Sequence, residues 1–327
     1  MPIHVLPSAI SRRRFVSNLL AAAAGTAVGL AGKQEALLQA QDLKDESREF
    51  WALLSDTHIA ADAQLNARGI NMAAHLSQAV EEVLQAHSKR PFAGLMVNGD
   101  CAFLDGQAED YRTFASLIEP LSAKGIPIHL TLGNHDERNR IQSGLASVFA
   151  PAKPEGAKTG VNQRPKLVDK IASKVRGRFC DWYLLDSLDM TNVTPGRIGA
   201  EQLAWLEQSL AAAPNRPALV MVHHNPHPSG LGKVSGITDT DAFLSLLLER
   251  KQVKALFFGH THVAKTFELQ GLHLVNLPAC AYRFNPEQPT GWTSALIGPE
   301  GCSLTLADTS KAHPLHAQEL HLSWRPL

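Results

Sequence analysis

No two of the four cysteines (Cys101, Cys180, Cys280, Cys302) stand at CxxC spacing, which excludes a zinc ribbon, a thioredoxin-type motif and a disulfide-dense scaffold. The chain also lacks any excess of charge. Among 327 residues, 31 Lys+Arg face 31 Asp+Glu, so the basic surface of a dedicated nucleic-acid binder is not in prospect. There is no internal repeat and no low-complexity tract. Beyond the first 32 residues no run of 18 apolar residues occurs, so the mature protein is expected to be soluble. The 44% of hydrophobic and 19% of charged residues are ordinary for a folded chain with ample core. Histidine is the unusual item: of 15, six fall inside four short motifs, and those motifs carry the functional reading.

Residues 1–32 contain no acid and three consecutive arginines, Arg12, Arg13 and Arg14, followed by an uncharged Ala- and Gly-rich run from Phe15 to Gly32. A basic region before a short apolar one is the layout of an export signal. Ser17, Asn18, Gly25 and Thr26 interrupt the run, which makes it a poor transmembrane helix. The segment Ser11-Arg12-Arg13-Arg14-Phe15-Val16 resembles the twin-arginine signals, whose pathway carries proteins already folded. Residues 1–32 are therefore read as a twin-arginine signal peptide cleaved near Gly29-Leu30-Ala31, with the twin-arginine export machinery as a transient partner and a periplasmic or extracellular destination. Removal leaves 28 basic residues against 31 acidic, a net charge of −3, which gives no support for nucleic acid or anionic lipid as a partner.

Downstream, strands and helices alternate. Strands are expected at 50–54, 92–97, 127–132, 182–185, 218–222 and 253–258, bounded by polar turns. Helical spacing marks 71–88, 109–123, 199–213 and 240–250, with Leu203, Leu206 and Leu210 on one face of the third. Residues 151–166 read as a surface loop. After Thr261 only short strands follow (263–269, 272–277, 292–297, 302–306), so the β–α alternation ends in antiparallel strands. A single mature domain is expected over 48–310, with a C-terminal tail at 311–327.

The turns after five of these strands carry chemistry: Asp56-Thr57-His58, Asn98-Gly99-Asp100, Gly133-Asn134-His135-Asp136, His223-His224 and Gly259-His260-Thr261-His262. If the strands are neighbours in one sheet, the five turns converge at its carboxyl edge, where open α/β sheets bind ligands. In extended backbone, residues two apart point the same way, so Asp56 and His58 can serve one metal, and His260 and His262 can reach the same site. Asp100 has two oxygens and can bridge two ions, and Asn134 offers a neutral carbonyl. A nitrogen and oxygen donor set without thiolate suits Zn, Mn or Fe. One Asp-x-His or His-x-His alone is weak; five such turns in this order argue against coincidence.

Together these motifs resemble the signature blocks of the calcineurin-like metallophosphoesterases over roughly residues 50–280. The continuation to Glu137 and Arg138 most resembles the branch of class III cyclic-nucleotide phosphodiesterases and glycerophosphodiesterases. The resemblance implies a four-layer α/β/β/α sandwich holding two divalent or mixed-valence metal ions. By position, one ion takes Asp56, His58 and His262. The other takes Asn134, His260 and His223, with Asp100 bridging. The family often has Pro two residues after that histidine, whereas Asn225 intervenes here, which leaves His224 as an alternative ligand. A hydroxide bridging the two metals would attack the phosphorus of a small phosphate ester in line. His135 then protonates the leaving group or steadies the phosphoryl charge, oriented by Asp136. His224 and Asn98 are placed at the substrate. A small phosphodiester is the expected substrate. A phosphomonoester is the alternative, against which stands the Asp-x-His form of the first motif. A further alternative is a metal-binding protein of the same fold without catalysis. His227 could line the site, and Tyr282, Arg283 and Phe284 could shape its rim. Arg138 is read as a salt-bridge residue.

Overall fold

The computed structural model describes residues 47–148, 160–226 and 235–327; the signal segment 1–32, residues 151–159 of the expected loop, and His227 lie outside the described residues. The order of elements is β1 (Glu49–Ser55), β2 (Asn66–Ala67), β3 (Ile70–Asn71), α1 (Met72–Lys89), β4 (Gly94–Asn98), α2 (Ala108–Ala123), β5 (Ile128–Thr131) and α3 (Arg138–Gly144). Then come β6 (Gly160–Gln163), β7 (Ser173–Arg176), β8 (Asp181–Leu184), α4 (Ala200–Ala211), β9 (Ala218–Met221), α5 (Thr240–Glu249) and β10 (Val253–Phe258). The chain closes with β11 (Lys265–Leu269), β12 (Leu272–Asn276), β13 (Gly291–Ile297), β14 (Gly301–Asp308) and β15 (Glu319–Ser323).

Two sheets organise these elements, one in the order β15-β14-β13-β1-β4-β5 and the other β11-β12-β10-β9-β8-β7-β6. In the first, β1, β4 and β5 are parallel and β13 joins β1 antiparallel. In the second, β8, β9, β10 and β12 are parallel. The alternation along β1 explains how the sheets stack. Trp51 and Leu53 belong to a core shared with Trp182, Leu184, Met221 and Phe257 of the other sheet, whereas Ala52 and Leu54 join Leu76, Val83 and Phe114 of the helices outside. The Trp51 and Trp182 rings meet at 5.9 Å. On the far side of the second sheet, Leu206 and Phe243 of α4 and α5 pack on Val220 and Leu256. The result is the expected α/β/β/α sandwich with antiparallel strands at the end.

Local chemistry fixes the helix starts. Asn71 caps α1 by accepting from Ala74 N at 2.8 Å, and Glu137 caps α3 by accepting from Arg140 N at 2.8 Å. Asp239, which precedes α5, accepts from Ile198 N and Gly199 N at 2.9 and 2.8 Å and so ties the entry of α5 to that of α4.

Three expectations change. The segment 160–163, read as loop, is strand β6, paired antiparallel with β7. Residues 319–323, read within a tail, form β15, which hydrogen-bonds along β14 as the edge of the first sheet. The five motif-bearing strands do not lie in one sheet: β1, β4 and β5 belong to one and β9 and β10 to the other. The motifs meet because the carboxyl ends of both sheets open at the same end of the sandwich. Among the described residues, no helix is long and apolar enough to cross a membrane.

Candidate metal centre

The turn after β1 departs from the extended geometry expected of it. Asp56 and His58 sit at φ 53° and 48°, Asp100 at 47°, and His260 and His262 at 68° and 54°. Five of the seven expected ligands are thus in the left-handed region, which Asp and His tolerate better than branched residues do. Hydrogen bonds between turns hold them there. Asp56 N donates to Gly99 O at 3.2 Å, His58 N to Asp100 O at 2.9 Å, and Gly259 N to His223 O at 2.9 Å. His135 N donates to Asp100 Oδ1 at 2.8 Å. Gly99 is required twice over. Its φ is +67°, and a Cβ there would stand 2.6 Å from Gly133 N and 2.7 Å from His223 Nδ1.

The side chains converge in groups that share members. Donor atoms of Asp56, His58 and His262 lie within 4.8 Å of one another, as do those of Asp100, His223 and His260, and those of His58, Asp100 and His135. Nε2 of His262 is 3.3 Å from Asp56 Oδ1, and Nε2 of His223 is 3.2 Å from Asp100 Oδ2 and 3.9 Å from Asp56 Oδ1. Nε2 of His58 is 3.6 Å from Asp100 Oδ2. These three imidazoles are oriented from behind. His58 Nδ1 faces Phe103 O, His223 Nδ1 faces Asn98 O, and His262 Nδ1 faces Tyr282 O, at 3.4, 2.8 and 2.6 Å. A carbonyl at Nδ1 fixes the tautomer and leaves the Nε2 lone pair for a metal.

The electrostatics fit a cation. Burial alone would raise the carboxyl pKa of Asp56 and Asp100, but the facing imidazoles more than offset it. His262 and His223 act on Asp56, His223 and His58 on Asp100, and both carboxyls end below the usual range. Burial holds His58 and His260 down to about 4, so both are neutral ligands at neutral pH. His223 feels the same burial, yet Asp100 and Asp56 overcome it and lift the imidazole to about 10, so its Nε2 carries a proton that a bound cation would displace. Among the described residues, no Lys or Arg pairs with either carboxylate. Asn134 Oδ1 is buried without a hydrogen-bond partner, as a neutral donor reserved for a metal would be. The residues present therefore fit a metal centre, with Asp100 belonging to both ends of it.

The remaining expected residues fall in different places. His223, not His224, enters the cluster. His224 is fully buried, its Nδ1 2.7 Å from Ser187 Oγ, and burial depresses its pKa well below the ordinary value. Asn98 is also fully buried. Its carbonyl orients His223 and its Oδ1 accepts from Thr131 Oγ1 at 2.9 Å. The visible contacts of these two residues position other groups. His135 lies at the mouth, its ring 5.2 Å from that of His58 and its Nδ1 bonded to Leu104 O. Asp136 does not touch the His135 ring. Its carboxylate accepts from Cys101 N, Ala102 N and Gly133 N at 3.1, 3.2 and 2.9 Å and from Tyr111 Oη at 3.2 Å. The expected orienting role is thus corrected to one of tying the β4 turn to the β5 turn. Burial, with Asp100 adding to it, raises its carboxyl to about 6.

Two groups of residues were missed. Asp186 and Ser187 follow β8 as a sixth polar turn. Asp186 accepts from Arg138 Nε at 2.7 Å, Ile171 N at 3.0 Å and Leu188 N at 2.9 Å, which also places Arg138 in a salt bridge as read. The polar Asp186-Ser187 pair directly after an apolar strand was the available signal. Arg68, in the β2–β3 turn, had none, because its partners Tyr282 and Phe284 are more than 200 residues away.

Residues 52–264 match the calcineurin-like phosphoesterase family. A probable cyclic nucleotide phosphodiesterase of Synechococcus is 27% identical over 273 residues, covering 80% of this chain and 94% of the relative. The 3',5'-cyclic adenosine monophosphate phosphodiesterase of Escherichia coli K12 is 27% identical over 282 residues, covering 82% and 93%. Among solved structures, a dimetal phosphatase from Danio rerio superposes with a TM-score of 0.63 at 15% identity, over 85% of this chain and 99% of that one, a likeness of fold.

Proposed function

The chain belongs to the calcineurin-like phosphoesterase family and is a metal-dependent phosphoric ester hydrolase, and on that premise we propose that it hydrolyses small phosphodiesters at a dinuclear centre. The observation that carries the proposal is the position of Asp100, within donor distance of both His58 and His223 and so common to two groups of ligands. Asp56, His58, Asp100 and His262 would hold one ion; Asp100, Asn134, His223 and His260 would hold the other. Two ions bound there, of Zn, Mn or Fe, would supply a water-derived nucleophile at neutral pH and would neutralise charge gathering on the phosphoryl oxygens.

The protein's own groups do the rest. Asn98, Phe103 and Tyr282 carbonyls keep three imidazoles in the tautomer that leaves Nε2 free. His135, with Nδ1 on Leu104 O, keeps Nε2 for the substrate; in its imidazolium form it gives the Nε2 proton to the leaving oxygen opposite the attack and ends as the neutral Nδ1–H tautomer. The cyclic-nucleotide phosphodiesterases among the relatives support a diester over a monoester. Elemental analysis of protein purified without chelator, joined to rates on bis(4-nitrophenyl) phosphate and 4-nitrophenyl phosphate, tests the reading. About two ions per chain and faster diester turnover are expected; one ion, or faster monoester turnover, overturns it.

Export by the twin-arginine route is part of the proposal and rests on Arg12, Arg13 and Arg14 before the uncharged run to Gly32. It favours substrates outside the cytoplasm, and lets metal be loaded before translocation. Substituting Lys for Arg12, Arg13 and Arg14 together is expected to leave the full-length chain in the cytoplasmic fraction. An unchanged distribution of the protein would refute that route.

A further inference from the structure

An aromatic wall runs outward from the metal ligands and ends on a guanidinium. The Tyr282 ring lies 5.0 Å from the His58 ring and 4.7 Å from that of His262. Phe284 covers His262 at 4.4 Å with planes 30° apart, yet it remains 56% exposed. Solvent exposure of a phenylalanine against a metal ligand leaves apolar surface open at the mouth, where a substrate's organic part must lie. Above both rings stands Arg68, its Cζ 4.9 Å from the Tyr282 centroid and 5.2 Å from that of Phe284. The β2–β3 hairpin presents it, with Arg68 at φ 53° and Gly69 at φ 76° making the tight turn. Among the described residues, Arg68 forms no ion pair with a carboxylate; its guanidinium lies over the two aromatic faces and hydrogen-bonds the Tyr282 hydroxyl.

The chemistry of this wall selects among diesters. A guanidinium already stacked on the rings repels a quaternary ammonium or an ethanolamine, which would otherwise seek the same faces. A glycerol group has no plane to stack. A nucleobase has both a π face for Phe284 and the guanidinium plane, and ring acceptors for the guanidinium N–H groups. We infer that Phe284 and Arg68 form the platform for the base of a nucleotide phosphodiester, an inference that rests on the phosphodiesterase reading above.

The test uses the metal-loaded protein and the variants Phe284→Ala, Arg68→Ala and Phe284→Trp. The ratio of kcat/KM for 3',5'-cyclic AMP to that for glycerophosphoglycerol is measured, with metal content, and the Kd for AMP is taken by titration. Each alanine variant is expected to lower the ratio and weaken AMP by about tenfold at two bound ions, and Phe284→Trp to restore both. A ratio and an AMP affinity within about twofold of the parent in both alanine variants overturn the platform, as does a loss of ions equal to the loss of turnover. If the parent protein cleaves neither diester, the phosphodiesterase reading fails by itself. The AMP titration then still decides the platform, since it needs no turnover.

Discussion

His135 differs from the other clustered histidines in what it leaves free. Its Nδ1 is taken by Leu104 O and it lies close to His58 and Asp100, but the ligand groups of Asp56, His58 and His262 and of Asp100, His223 and His260 form without it. His135→Ala is therefore expected to lower kcat by about 10²–10⁴-fold while two ions stay bound. Loss of metal in that variant would sink the assignment. The buried ligands make a pH prediction for the metal-stripped protein. His58 and His260 titrate at about 4 in the folded chain against 6.5 when unfolded, so between those values the unfolded chain binds protons that the folded one does not. Stability accordingly falls as pH drops from 6.5 to 4. His223, lifted to about 10, works in the other direction: stability falls as pH rises from 6.5 toward 10. Urea midpoints of stripped protein should peak near pH 6.5, and a midpoint flat from 6.5 to 4 would contradict the burial of these imidazoles as neutral groups.

The elements contribute through their ends. The parallel strands β1, β4 and β10 each stop at a turn in which a left-handed residue swings a ligand inward, and each such residue costs about 1–3 kcal/mol. That strain persists because the turns bond to one another. Gly99→Ala adds a methyl against Gly133 N and His223 at a backbone angle alanine resists. It is expected to abolish binding of the ion served by His223, measured as about one ion per chain by elemental analysis; retention of two would refute the steric account. A second brace joins the start of α3 to the end of β8, where the fully buried Asp186 holds Arg138 and two backbone N–H groups. Asp186→Ala leaves Arg138 and those donors unpaired and is expected to cost about 3–5 kcal/mol by urea unfolding.

At the scale of the molecule, the two sheets must stay face to face for the centre to exist, since its ligands come from both. Trp182 is fully buried at that interface, its ring 5.9 Å from that of Trp51 across it and 5.1 Å from that of Phe257 within its own sheet. Trp182→Ala is expected to cost about 3–5 kcal/mol and to weaken metal binding together with stability, although it lies outside the ligand set. Metal links the sheets in return: any ion bound to the folded chain alone raises its stability by mass action, so chelation should lower the melting temperature. A melting temperature indifferent to chelator would mean that the centre adds nothing to the union of the sheets.

The sequence by itself determined the chemistry of the centre. The residues that converge were legible because Asp-x-His, Asn-Gly-Asp, Gly-Asn-His-Asp and His-x-His are local patterns, each placed where an apolar run ends. Most strands and helices were legible for the same reason, since burial follows periodicity. Tertiary structure decided the rest. The division of the motif strands between two sheets, and the choice of His223 over His224, depend on which strand packs against which. The role of Asp136 depends on backbone donors 34 and 35 residues away. The addition of β15 depends on a free edge of β14 that no local pattern announces. The wall of Arg68, Tyr282 and Phe284 joins residues separated by most of the chain, and only the folding of the β2–β3 hairpin over the mouth of the sandwich brings them together.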